Sequence, residues 1–325
     1  MKKILVTGAN GFVGQRLCAF LAKREHDVKA AVRDDGVEVY ASSQVEKIVI
    51  GALEHPGFLT ESETIRIFSD VDTVIHLASR VHMMHETSQD PLAEYRKVNV
   101  EATKKLANAA AKFGVRRFVY LSSVKVNGEH TVAEQKFNEL DFPSPQDAYG
   151  KSKWEAEQIL HEIAKSTGLE VVIIRSPLVY GKGVKANFQK LVQLIKSGWP
   201  IPLGAVNNSR SLIYVDNLVE AIFVCMHHER ARNQTYLVSD GDDVSTPELI
   251  RRLSKTLHKP ERLLPISPTV LRWAGRLTGK QASIERLLSS LCVDNHKICS
   301  ELNWQPPYKM EEAFHLDFSD SNAPA

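Results

Sequence analysis

Apolar residues fall in short runs through the first half of this chain, and longer stretches of mixed character separate the runs. Runs near 3–7, 28–32, 47–50, 72–76, 116–121 and 170–175 read as strands buried on both faces. Stretches near 12–24, 91–113 and 148–167 read as helices, with Ala102 to Ala111 especially helix-prone. This βαβ alternation predicts an α/β chain with a doubly wound parallel sheet. From Tyr180 the regularity breaks. Pro200, Pro202, Gly204 and Asn207-Asn208 mark irregular chain over 198–209, and helical patterns return near 216–228, 246–257 and across 268–291. These predict a smaller lobe interleaved with the last strands of the larger one. The larger takes residues 1–177 and about 212–240, the smaller 178–211 and 241–325. There is no internal repeat, and Ser319 to Ala325 read as a frayed end.

The first strand, Lys3-Ile-Leu-Val-Thr7, runs directly into Gly8, Gly11 and Gly14 and then into a helix from about Phe12. Strand, glycine turn and helix together are the context a dinucleotide needs, and they make the sheet a Rossmann sheet. Gly8 allows the tight turn, Gly11 allows close approach to a pyrophosphate, and Gly14 lets helix and strand pack. The turn itself is Gly8-Ala9-Asn10-Gly11-Phe12-Val13-Gly14, so Asn10, Phe12 and Val13 share the expected cofactor contact. The second strand, Val28 to Val32, ends at Arg33 where an NAD site usually carries a carboxylate. With no acid to repel a 2′-phosphate and an Arg able to grip one, NADP(H) is the favoured cofactor. The alternative is that Arg33 is a solvated loop residue beside Asp34 and Asp35.

About 140 residues after the glycine turn stands Tyr149-Gly150-Lys151-Ser152-Lys153. Tyr149 and Lys153 project from one helix face. An ammonium beside a phenol is expected to lower the phenol's pKa and suit it to proton transfer with an alcohol or carbonyl oxygen.

Together these motifs resemble the extended short-chain dehydrogenase/reductase family, and within it the nucleotide-sugar epimerases, dehydratases and reductases. The resemblance covers nearly the whole chain. His76-Leu77-Ala78 is similar to the segment that places Leu77 and Ala78 near the cofactor, and Asn99 resembles the family's structural Asn, also expected on the cofactor side. Ser122-Ser123 resembles the catalytic serine turn. Alignment of Val126-Asn127-Gly128 puts Ser123 at the catalytic position, with Ser122 as the fallback beside the cofactor. Arg175 to Gly181, which includes the cofactor-side Pro177, and Arg210 to Asp216 resemble two further family segments. The second implies that Arg210 holds a nucleotide diphosphate. Lys185 and Asn187 lie where relatives contact diphosphate or sugar, and Val293-Asp294 to Pro306 is similar to the family's C-terminal segment.

The resemblance implies hydride transfer between nicotinamide C4 and a sugar carbon, most simply C4 of a UDP-hexose. Tyr149 would be the acid/base, Lys153 would lower its pKa and hold the nicotinamide ribose, and Ser123 would donate to the reacting oxygen. The dehydratases follow their catalytic Thr with an Asp-Glu pair. Val124 and Lys125 stand there in this chain, which argues against water elimination. The Gly51-Ala52-Leu53 run lacks the family's adenine-facing Asp. Two outcomes remain. A reductase would take a UDP-4-keto-6-deoxy-N-acetylhexosamine and external NADPH in surface-polysaccharide synthesis, and the carboxylate-free end of the second strand favours it. A UDP-hexose 4-epimerase would keep NAD(H) tightly bound and return the hydride to the other face. A third reading, a non-catalytic NADP-sensing regulator, fits poorly with a chain that keeps Ser123, Tyr149 and Lys153.

Composition narrows the partners. A formal net charge of +2 over 325 residues, with scattered cations, offers no general case for nucleic acid. No run of 18 apolar residues exists, so no membrane span is expected. The chain begins at once with a strand, leaving no room for a signal peptide, and a cytoplasmic location is expected. Cys18, Cys225, Cys292 and Cys299 are expected as free thiols. Cys292, His296 and Cys299 do not match a four-ligand zinc spacing, so no metal site is expected. His82, His85 and Glu86 read by default as surface residues, with substrate contact open. The expected partners are a UDP-sugar and a second copy of the chain. Such a homodimer would pair through a four-helix bundle supplied by 91–113 and 148–167.

Overall fold

The computed structural model describes residues 3–55, 57–81, 90–132, 134–184 and 187–319, with the side chain of Asn187 excepted. Seven parallel strands form the main sheet. They are β1 (Lys3–Thr7), β2 (Val28–Val32), β3 (Val45–Val49), β4 (Val71–His76), β5 (Arg117–Ser123), β6 (Glu170–Ser176) and β9 (Thr235–Leu237). Their order is β3-β2-β1-β4-β5-β6-β9, so the chain reverses direction across the sheet at β1/β4. That reversal opens a crevice at the carboxyl ends of the strands, the usual ligand site of such sheets.

One face of the sheet is covered by α1 (Phe12–Lys23) and α7 (Val215–His227), whose Leu17, Leu21, Leu218 and Ile222 pack on Val6, Ile75 and Val172. Near the end of the chain α11 (His296–Leu302) joins the same core through Ile298 and Leu302. The other face takes α2 (Glu61–Phe68), α4 (Ala102–Lys112) and α5 (Ala148–Thr167), through Ile67, Leu106 and Leu160 against Leu5, Val74 and Phe118. With both faces covered, the strands read as continuous apolar runs. Lys29 is the exception in β2. It is buried, and its Nζ donates to the carbonyls of Arg66, Ile67 and Ser69 at the end of α2. A cation there satisfies carbonyls that a helix end leaves without partners.

A separate core belongs to the second lobe. It is built from α6 (Asn187–Ser197), α8 (Thr246–Thr256), α9 (Pro268–Leu277), α10 (Gln281–Leu288) and α12 (Met310–Phe318), with the two-stranded parallel sheet of β7 (Leu178–Tyr180) and β8 (Leu212–Tyr214). The chain crosses between lobes more than once: β8 leads into α7 against α1, and β9 extends the main sheet before α8. Asp240, just after β9, ties the crossings together. It accepts from the Tyr180 hydroxyl at 2.7 Å, the Tyr214 amide at 2.9 Å and Asn217 Nδ2 at 2.7 Å. Arg16 of α1 adds an ion pair to Asp317 of α12 at 2.8 Å.

Three sequence expectations change. The helix expected across 268–291 is two helices, broken at Gly279, whose φ of +67° a helix cannot continue through. The helix expected over 91–113 holds α3 (Pro91–Arg96), a π-helical segment at Lys97–Glu101 and then α4. The short helices α2, α6 and α12 were not expected. Among the described residues no helix is long and apolar enough to cross a membrane, and no three His, Cys, Asp or Glu side chains gather as a metal site. All four cysteines are free thiols. His82, His85, Glu86, Lys185 and residues 320–325 lie outside the described residues.

Candidate active site

The phosphate end is built at β1. Gly8 has φ +68°, and a Cβ there would meet the Ala78 amide nitrogen at 2.8 Å. Gly14 is tighter, since its Cβ would sit 2.2 Å from the Gly8 carbonyl oxygen. Gly11 is the N-cap of α1 and brings no side chain to cap it, so the first-turn amides remain available to an anion. Asn10 is exposed beside them. Phe12 and Val13 are half-buried, and both pack on the core of the second lobe. A pyrophosphate fits this turn, because no side chain caps the helix start and the helix dipole favours an anion there.

His76 braces the turn from beneath. Its Nδ1 lies 2.6 Å from Thr7 Oγ1 and its Nε2 lies 2.9 Å from Thr103 Oγ1. Burial first, and the charge of Lys153 second, push its pKa down to about 3, so it stays neutral. Thr7 also receives the Ala78 amide at 3.3 Å, and the Leu77 amide bonds the Thr7 carbonyl at 3.3 Å. Leu77 and Ala78 thus lie directly across from Gly8.

The reacting end lies at β5 and α5. Asp147 caps α5 by accepting from the Gly150 amide at 2.7 Å, which fixes the first turn and with it Tyr149. Tyr149, Lys153 and Glu157 follow at four-residue intervals down one face. The Tyr149 phenol lies near the hydroxyls of Ser123 and Ser79, and the Tyr95 ring stands edge-on at 6.1 Å. Lys153 is buried. Its Nζ donates to the Leu121 carbonyl at 2.7 Å and stands 4.1 Å from the centre of the Tyr120 ring. Burial pushes the Lys153 pKa down to about 7, with Glu157 opposing.

One expectation is reversed here. The ammonium is expected to lower the Tyr149 pKa, but burial raises it to about 12, and the nearby hydroxyls of Ser123 and Ser79 only partly offset the rise. Desolvation penalises both charged forms, so this pair rests as neutral phenol and weakened ammonium.

Two other residues brace the site through their side chains. Asn99, in the π-helical segment, accepts from Ser79 Oγ at 3.0 Å and the Arg80 amide at 2.8 Å. It donates to the Arg80 carbonyl at 3.1 Å and Ser152 Oγ at 2.9 Å. Those four bonds use its amide's ordinary capacity, so Asn99 positions the Ser79 segment against α5. The Ser122 hydroxyl donates to Glu157 at 2.5 Å. Glu157 in turn holds Arg175 at 2.6 Å, and Arg175 reaches Asn127 at 3.1 Å, a fully buried chain beneath the site. Pro177 is buried just past the end of β6.

The remaining expected residues sit apart. Arg33, at the end of β2, is 66% exposed and lies 3.6 Å from Glu54. Arg210 belongs to the second lobe, where its Nη1 donates to the carbonyls of Arg286 at 2.6 Å and Ser289 at 3.1 Å. Asn187 opens α6. Ser79 and Glu157 were not singled out from the sequence. Glu157 had a local signal, one helical step beyond Lys153. Ser79 stood only within the Ser79-to-His82 run, because Tyr149 lies far along the chain.

Residues 4–239 match the model of the NAD dependent epimerase/dehydratase family. The chain belongs to that family. It is 41% identical over 316 residues to a UDP-glucose 4-epimerase of Vibrio cholerae, covering 96% of this chain and 93% of the relative. It is also 29% identical to an Escherichia coli O157:H7 N-acetyl-alpha-D-glucosaminyl-diphospho-ditrans,octacis-undecaprenol 4-epimerase, over 81% and 75% of the two chains. Among solved structures, UDP-glucose 4-epimerase of Thermotoga maritima with UDP-glucose superposes with a TM-score of 0.77 at 23% identity, over 97% of both chains. The UDP-glucose 4-epimerase of Thermus thermophilus with NAD gives 0.76 at 20% identity over 97% of both. The chain is therefore an NAD-dependent enzyme of the nucleotide-sugar epimerase/dehydratase family, with the fold of these epimerases.

Proposed function

We propose that this protein is a UDP-hexose 4-epimerase of the UDP-glucose or UDP-GlcNAc type that keeps NAD(H) bound through turnover. The observation that carries the reading is the 41% identity to the Vibrio cholerae epimerase, which runs through both lobes. The sequence alone favoured the reductase, on Arg33. Glu54 lies close enough to Arg33 to oppose a 2′-phosphate, and relatives of this fold hold NAD, which supports NAD(H) instead.

Bound NAD(H) supplies the hydride acceptor and donor. Tyr149 exchanges the proton of the sugar C4 oxygen, and Ser123 donates a hydrogen bond to the same oxygen. Ser79 and Ser123 lie near the phenol, and Lys153 holds the nicotinamide ribose. Arg210 is anchored to α10 through one nitrogen and offers its others to the substrate diphosphate, with Asn187 beside the sugar. Gly8, Asn10, Gly11, Phe12, Val13 and Gly14 cradle the pyrophosphate, and Leu77, Ala78, Ser122 and Pro177 line the cofactor. The first lobe, 1–177 with 212–240, binds the cofactor; 178–211 and 241–325 bind the sugar nucleotide. A homodimer through α4 and α5, working in the cytoplasm in surface-polysaccharide synthesis, completes the reading.

The test is the nucleotide content of purified protein. Denaturation is expected to release NAD(H) in near-equal amount to protein. A stripped protein that takes NADPH much more tightly than NADH restores the reductase and makes Arg33 its phosphate grip.

A further inference from the structure

We propose that α9 docks the second lobe on an anionic lipid bilayer surface. On this helix Leu271 and Gly275 face the lobe core. Val270, Trp273 and Leu277 face outward, exposed by 56%, 62% and 83%. At 100° per residue those three side chains fall within about 60° of one another, a single apolar strip. A soluble surface scatters such residues singly; a strip of Trp, Leu and Val on one helix face marks a contact.

Charge decides the partner. From Arg262 to Ile284 the chain carries Arg262, Arg272, Arg276 and Lys280 and no carboxylate, in a protein whose net charge is only +2. Arg272 is paired with Glu285 of α10 at 3.0 Å. Arg276 and Lys280 have no carboxylate partner among the described residues, and Arg276 lies beside the apolar strip around the helix. An apolar strip flanked by cations, with an indole at its centre, matches the headgroup region of an anionic bilayer. A second copy is a poor fit: a twofold contact through this face would bring Arg276 and Lys280 against their own counterparts. Nucleic acid would leave the apolar strip without a partner. The same lobe exposes Trp199, whose segment is held beside Arg262 by the bond from Arg262 Nη1 to the Gly198 carbonyl at 2.9 Å.

The experiment is flotation of the full chain with vesicles of phosphatidylglycerol and phosphatidylethanolamine, against vesicles of phosphatidylcholine alone. Two double variants accompany it, Trp273→Ser with Leu277→Ser and Arg276→Glu with Lys280→Glu. All four side chains are exposed, and none belongs to the proposed catalytic or binding set. Wild type is expected to float with the anionic vesicles only, to leave them on raising salt from about 0.05 to about 0.5 M, and to show a blue shift of tryptophan emission when bound. Each double variant is expected to lose roughly tenfold or more of the binding at unchanged UDP-hexose turnover. Absence of wild-type flotation at low salt overturns the proposal, as does equal flotation of the variants. A variant that lowers the mass by light scattering assigns the face to a second copy and overturns it too.

Discussion

At the scale of single residues, the site is governed by how little water reaches it. Burial raises Tyr149 to about 12 and depresses Lys153 to about 7. Glu157 is the neighbouring charge that resists the fall at Lys153, while it also neutralises the buried Arg175. Glu157→Gln is therefore expected to lower the Lys153 pKa further and to move the corresponding limb of the kcat/KM–pH profile to lower pH. It should also destabilise the fold by about 3–5 kcal/mol, because Arg175 is left buried and unpaired. A lower Tm with an unmoved pH limb would show that Glu157 supports the fold and not the lysine. In stability the sign is fixed. With its folded pKa below the unfolded 10.5, Lys153 in the unfolded chain holds a proton that the folded protein releases between about 7 and 10.5. Its contribution is thus fully present above 10.5 and is lost as pH falls through about 7.

At the scale of elements, two helix starts carry the proposed chemistry. The start of α1 has no side-chain cap and is hemmed in by the Gly8 carbonyl; the start of α5 is fixed by Asp147. Gly14→Ala forces α1 away from β1, because its Cβ would lie 2.2 Å from that carbonyl oxygen. The expected result is a loss of about 1–3 kcal/mol in stability and a protein that purifies without nucleotide. Normal nucleotide content in this variant would mean that the turn does not hold the pyrophosphate. The π-helical segment at Lys97–Glu101 belongs to the same design. It lets Asn99 reach both the chain after β4 and Ser152 of α5, and such interruptions cluster at functional sites.

At the scale of the molecule, what the sequence disclosed was what is local. The β1–turn–α1 unit was legible because strand, glycines and helix are contiguous, and Tyr149 with Lys153 because four residues bring them to one helix face. The break at Gly279 was not, since the apolar pattern of α9 continues into α10 across it. Ser79 against Tyr149, Glu157 against Arg175 and Asn127, and Glu54 near Arg33 are all long-range meetings that no local pattern carries. The last of these bears on the reaction. Arg33 read alone points to NADP(H) and a reductase, and with Glu54 beside it that argument weakens.

In the proposed epimerase one bound nucleotide serves both halves of the reaction. The direct measurement is incubation of the purified protein with UDP-glucose, and separately with UDP-GlcNAc, with no added cofactor, following the sugar anomeric signals by NMR. An epimerase converts one of them to its C4 epimer, reaching the same mixture from either side with no net change in nicotinamide absorbance. A fall of about 10²–10⁴-fold in rate is expected for Tyr149→Phe. No epimer from either substrate, together with stoichiometric NADPH consumption on a UDP-4-keto sugar, would contradict the epimerase.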